Sequence, residues 1–199
     1  MTEKNTATKI LEAARRQLLA EGYAALSTRK VAEAAGVPLS QIHYHFGSKD
    51  ELILALLRAE NDTLLGRQTE MFGRDLPVWR RWEIACDYFD EDLGSGYVRV
   101  LQEMTAAGWS SETLGKEIGE IYRQWIALLT DLAREAEEKG LLPPLFSTEE
   151  VAALVAATFI GAESLILLDL ESERIPLRAG LRRVGDLIRI AEEGPMDEG

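Results

Sequence analysis

Between Ser27 and Leu52 the chain reads Ser-Thr-Arg-Lys-Val-Ala-Glu-Ala-Ala-Gly-Val-Pro-Leu-Ser-Gln-Ile-His-Tyr-His-Phe-Gly-Ser-Lys-Asp-Glu-Leu. This stretch gathers side chains suited to hydrogen-bonding a polyanion and the edges of its bases. Both histidines of the chain, His43 and His45, flank Tyr44, with Ser40 and Gln41 before them and Lys49 after. Gln41 and His43 have the donor and acceptor atoms that base edges require. Tyr44 offers a ring for a thymine methyl or a sugar. Ser40, His45 and Lys49 suit phosphates, and Thr28, near a helix N-terminus, suits another. The chemistry implied is recognition of double-stranded nucleic acid rather than bond making.

The surrounding residues supply the frame. The spacing predicts a helix over 28–35 with Ser27 or Thr28 as N-cap and Val31, Ala34 and Ala35 on its apolar face. Gly36 provides the positive φ of a chain reversal, and Pro38 suits the start of the next helix. That helix, 39–46, is too short to stand alone. It buries Ile42 and Phe46 and turns Leu39, Ser40, Gln41, His43, Tyr44 and His45 outward. A short polar and aromatic helix braced by helix–Gly–turn is a helix-turn-helix reading head. An ordinary helical hairpin would not explain why both histidines sit beside a tyrosine on so short an exposed face.

The segment resembles the N-terminal domain of TetR-family (tetracycline-repressor-like) transcriptional regulators. Thr28, Arg29, Ala32, Gly36, Val37, Tyr44, His45, Phe46, Lys49 and Leu52 carry the likeness in gapless register. His43 stands where many members have tyrosine, so no relative's operator sequence carries over. The resemblance implies that Arg29 reaches a base edge or a phosphate. It also implies a larger helical body that binds a small-molecule effector and pairs into a homodimer.

Composition bounds the rest. The 199 residues suffice for one globular body with a small appended module. Polar Met1 to Lys9 runs straight into an amphipathic pattern and lacks the form of a signal peptide. The net charge of −12 at first argues against a nucleic-acid partner. Residues 1–49, however, carry seven Lys/Arg against four acids, a net of +3, and the remainder carries −15. Positive charge therefore collects where DNA would be touched. A lone cysteine, Cys86, excludes an internal disulfide and fits a reducing, cytoplasmic setting.

Everything along the chain reads as helix, giving an all-α fold of about nine helices. A helix over 6–21 ends at Gly22, and Ser48 with Glu51 forms a capping box for a long helix reaching Phe72. Further helices are expected over 78–93, 97–109, 111–139, 147–170 (opened by a second box, Ser147 and Glu150) and 177–193. The tail 194–199 reads as disordered. The expected division is a helix-turn-helix domain over 1–48 and an effector-binding and dimerisation domain over 49–199. The apolar stretch Val151 to Leu168 contains Glu163, which would cost about 2–3 kcal/mol or more at membrane depth. A buried or dimer-forming helix is expected instead, with no membrane partner.

Catalysis finds little support. Both histidines lie in the reading head, and H-E-x-x-H, G-x-x-x-x-G-K and G-x-S-x-G are absent, so neither metal nor cofactor is expected. The body does hold aromatic residues suited to an apolar pocket, with Trp82, Phe89, Met104, Trp109, Tyr122, Trp125 and Phe159 as candidate lining and Glu163 as its polar group. Plain core packing is the competing account for each ring. Ala153, Ala157, Gly161 and Leu165, with Leu181, Val184, Leu187 and Ile188, form two stripes at helical spacing, expected as a dimer interface. The leading expectation is a ligand-responsive repressor on a palindromic operator. Its rivals are an architectural DNA binder and a helical carrier or enzyme.

Overall fold

A computed structural model describes residues 3–142 and 144–194, with side chains from Asn5 onward. Among the described residues the regular structure is nine helices and one isolated bridge, Ser172 with Ile175. The expected tail falls almost wholly on 195–199, outside the described residues. In chain order the helices are α1 (Glu3–Ala25), α2 (Thr28–Ala35), α3 (Leu39–Phe46), α4 (Lys49–Phe72), α5 (Val78–Ser95), α6 (Tyr97–Gly108), α7 (Glu112–Glu138), α8 (Thr148–Leu167) and α9 (Leu177–Glu193).

The chain forms two compact units that do not follow sequence order. One comprises residues 1–64 and 96–121, the other 65–95 and 122–199. The expected boundary after residue 48 thus falls inside the first unit. The reason is that α1 packs on α6 as well as on α2 and α3, so the reading head shares a core with a later helix. Ile10, Ala14 and Leu18 of α1, Val31 of α2, Ile42 of α3, Leu52 to Leu54 of α4 and Val100 with Met104 of α6 are all buried there. Each large one contributes about 1.5–3 kcal/mol by leaving water. Phe46, expected in this core, is only half-buried.

Local signals set most ends. The Gly36 N–H bonds to Glu33 O and the Val37 N–H to Ala32 O, with Gly36 at φ 65°, ψ 36°, closing α2 in a left-handed turn. Pro38 serves as the N-cap of α3, and the Gln41 N–H bonds its carbonyl at 2.9 Å. The Ser147–Glu150 capping box forms in both directions, at 3.2 and 2.8 Å. At Ser48 only one half is present, the Glu51 N–H donating to Ser48 Oγ at 3.1 Å.

The second unit is built on α5 against α9, with α8 beside α9. Gly185 makes the closest approach, since a Cβ there would sit 3.0 Å from the Trp82 ring. Arg178 and Arg182 of α9 bind Asp90, and Arg182 also binds Asp87, along the α5 flank.

Candidate nucleic-acid interface

The buried and exposed faces of α3 divide as its period requires. Ile42 is fully buried and Tyr44 is 68% exposed, while Ser40 and His43 face solvent and Gln41 is half-exposed. The His43 Nδ1 lies 3.0 Å from Gly47 O. Donation of Nδ1–H to that carbonyl leaves Nε2 of a neutral His43 as an acceptor, matched to the exocyclic amine of cytosine or adenine.

Around α3 stand the expected phosphate partners. Thr28 and Arg29 open α2, whose N-cap Ser27 makes no side-chain cap bond, so the first N–H groups of the helix are not taken by that cap. Arg29 is exposed and, among the described residues, forms no ion pair with Glu33. The Lys49 Nζ lies 4.5 Å over the Tyr23 ring and 3.5 Å from Ala24 O. His45 is half-buried. Its ring stands edge-on to Tyr44 at 5.0 Å, and its Nε2 is buried without a hydrogen-bond partner. The imidazole packs against Tyr44 and Phe46, which keeps that nitrogen from solvent.

The expected pocket residues separate. Trp82, Phe89 and Trp125 pack edge-to-face on Phe159, with ring centroids 5.5, 5.4 and 6.2 Å apart. Trp82 also donates Nε1–H to Leu181 O at 2.8 Å. These rings form a packed cluster with Cys86, Ala162 and Leu181, and burial pushes the Cys86 thiol up to about 11. Tyr122 and Glu163 belong to the same unit and are half-buried. Met104 and Trp109 do not join them. Met104 is core of the first unit, and Trp109, 83% exposed, sits in the turn that ends α6. Among the described residues, no group of three His, Cys, Asp or Glu side chains is placed to hold a metal ion.

On α8, Ala152, Ala156, Phe159 and Ala162 face inward, whereas Ala153, Ala157 and Leu165 are exposed and a Cβ on Gly161 would meet open space. On α9, Val184 and Leu187 are exposed and Ile188 half-buried. Leu181 is the exception in the expected dimer stripe, buried at 5% in the aromatic cluster. Helical spacing alone does not reveal that α9 turns its first apolar stripe position towards α5. Exposed Leu154 and Ile190 extend the open face beyond the residues singled out from sequence.

Residues 10–56 match the family described as bacterial regulatory proteins, tetR family. The HTH-type transcriptional repressor AcnR of Corynebacterium efficiens is 41% identical over 56 residues, which span 28% of this chain and 30% of that one. The chain thus matches less than a third of the length of that relative. The HTH-type transcriptional regulator UidR of Escherichia coli K12 is 23% identical over 180 residues, covering 87% of this chain and 86% of that one. Among solved structures, the transcriptional regulator FadR from Bacillus subtilis in complex with stearoyl-CoA superposes with a TM-score of 0.70. It is 16% identical and covers 95% of this chain and 99% of that one. The fold of the described residues, with its nine helices, is similar to that of the FadR structure.

Proposed function

We propose, on the premise that the N-terminal domain belongs to the TetR family of bacterial regulatory proteins, that the protein is a ligand-responsive transcriptional repressor. The observation that carries it is the outward face of α3, where Ser40, His43 and Tyr44 are exposed over a fully buried Ile42. Two such heads in a homodimer would enter successive major grooves about 34–36 Å apart on a palindromic operator. The homodimer, its α8–α9 interface and a cytoplasmic location belong to the proposal. The apolar faces left open on those helices support the pairing.

The effector is read as an organic molecule with an apolar part received by the second unit, where the packed aromatic rings would have to part to admit it. The FadR structure, whose stearoyl-CoA joins an apolar acyl chain to a charged coenzyme A, supports the presence of an organic effector with an apolar part. Its binding would lower operator affinity, and operator must then weaken the effector by the same factor. Selection of duplexes from a randomised pool by the purified protein, followed by mobility shifts across a salt series, tests the core of the reading. A palindromic consensus bound well above mixed sequence is expected. Equal binding of all duplexes would instead mean an architectural protein, and no binding would end the proposal.

A further inference from the structure

We infer that Tyr23 is a positioning residue for Lys49, and that the α6 carboxylate Glu103, by gripping the backbone of Tyr23, ties that placement to α6. The inference rests on the nucleic-acid interface proposed above, in which Lys49 meets a phosphate.

The geometry begins at a break in α1. Gly22 leaves helical space at φ 79°, ψ 174°, so the carbonyls before it and the N–H after it lose their helical partners. Helix α6 answers both polarities from one face. Arg99 donates Nη2–H to Leu18 O at 3.2 Å and to Leu19 O. One turn on, Glu103 accepts the Tyr23 N–H at 2.6 Å. A Cβ on Gly22 would lie 3.0 Å from Glu103 Oε1, so glycine there serves the turn and makes room for the carboxylate.

The Tyr23 side chain then touches the first two residues of α4 at once. Its ring lies under the Lys49 ammonium at 4.5 Å, and its hydroxyl donates to Asp50 Oδ1 at 2.9 Å. The ammonium shares one of its three protons with Ala24 O and keeps the others for a phosphate. A lysine held this way is kept at the phosphate. One freed of the ring spreads over many rotamers and leaves that contact unmade, so the ring sustains the phosphate contact without touching DNA. If Tyr23 were only a packing residue, the cation over its face would not matter to binding.

The full-length protein is tested on a duplex it selects and on a short mixed-sequence duplex, with affinity followed against salt. Lys49→Ala should weaken both and flatten the plot of log affinity against log salt by about 0.9 for each phosphate no longer neutralised. Tyr23→Leu should reproduce most of that flattening and add nothing in the Lys49→Ala background. Tyr23→Phe, which keeps the ring, should retain the slope. Glu103→Ala should flatten it in the Lys49 protein and leave the Lys49→Ala protein unchanged. A wild-type slope in Tyr23→Leu, or effects that add to those of Lys49→Ala, overturns the positioning role. A wild-type slope in Glu103→Ala removes α6 from it. Lys49→Ala with an unchanged slope shows instead that the phosphate contact beneath the inference is wrong, and the inference falls with it. Should Tyr23→Leu fail to fold, the Lys49 ε-methylene protons of the wild type decide by NMR. Upfield displacement by the ring supports the inference, and random-coil positions overturn it.

Discussion

Arg29 and Gln41 do different work in the proposed interface, and their variants should fail differently. Arg29 is exposed at the second position of α2 and holds no ion pair within the described chain, so its fork is unspent. Arg29→Ala should weaken binding of a selected duplex, by about 1–3 kcal/mol if the contact is a bidentate guanine pair, and leave the melting temperature unchanged. Titration alongside calorimetry checks both halves, and unchanged affinity would take Arg29 out of the interface. Gln41→Ala should instead relax preference at one base position, seen as one column of the consensus becoming degenerate in a repeated selection. The outward residues of α3 were legible because burial of Ile42 in a two-turn helix decides the face. Side-chain orientation within that face was not. His45 lies on the expected surface, yet contact with Tyr44 and Phe46 leaves its Nε2 buried, and no residue pattern encodes that ring's tilt.

Glycines decide how the helices meet, and their signs can be foretold. Glycine inside a helix ordinarily costs about 0.5–1 kcal/mol relative to alanine. At Gly66 of α4 a Cβ would meet open space, so Gly66→Ala should stabilise by that amount in thermal melts. At Gly115 of α7 a Cβ would lie 2.8 Å from Gly108 O, a backbone atom that cannot rotate away. Gly115→Ala should therefore destabilise, by about 1–3 kcal/mol, because α6 and α7 must separate. Charge ties α5 to α7 in a similar way. Buried Arg81 donates to Glu135 and to Arg74 O, and that hydrogen bond holds the Glu135 carboxyl below its ordinary value. A lowered folded-state pKa adds stability above the unfolded value and loses it as pH falls through the folded one. Glu135→Gln should thus melt lower at neutral pH, by an amount that shrinks to nothing in acid. The helices themselves were legible from caps and apolar period. The end of α8 was not, since Asp169 takes the left-handed position at φ 58° and closes the helix at Leu167 where no glycine announces a stop.

Across the molecule, charge and apolar surface divide the labour that the proposed reading of a palindrome needs. The first 49 residues carry +3 and the rest −15, so phosphates are attracted at one end of the sequence and repelled by the remainder. The acidic remainder also exposes large apolar side chains, among them Leu154 and Leu165 of α8 and Val184, Leu187 and Ile190 of α9. Leu187 is 66% exposed, whereas Leu181 earlier on the same helix is core. A carboxylate at position 187 should therefore leave the fold intact and break only the pairing of copies. Leu187→Glu is expected to sediment as a monomer with a wild-type melting profile at concentrations where the parent is a dimer. Its affinity for a full palindrome should fall about 10²-fold or more, since the second head no longer acts at raised effective concentration. Affinity for a single half-site should stay the same, because α2 and α3 are untouched. A Leu187→Glu protein that remains dimeric would place the interface on another surface. One that is monomeric yet binds the palindrome as tightly as before would mean that each chain reads DNA alone.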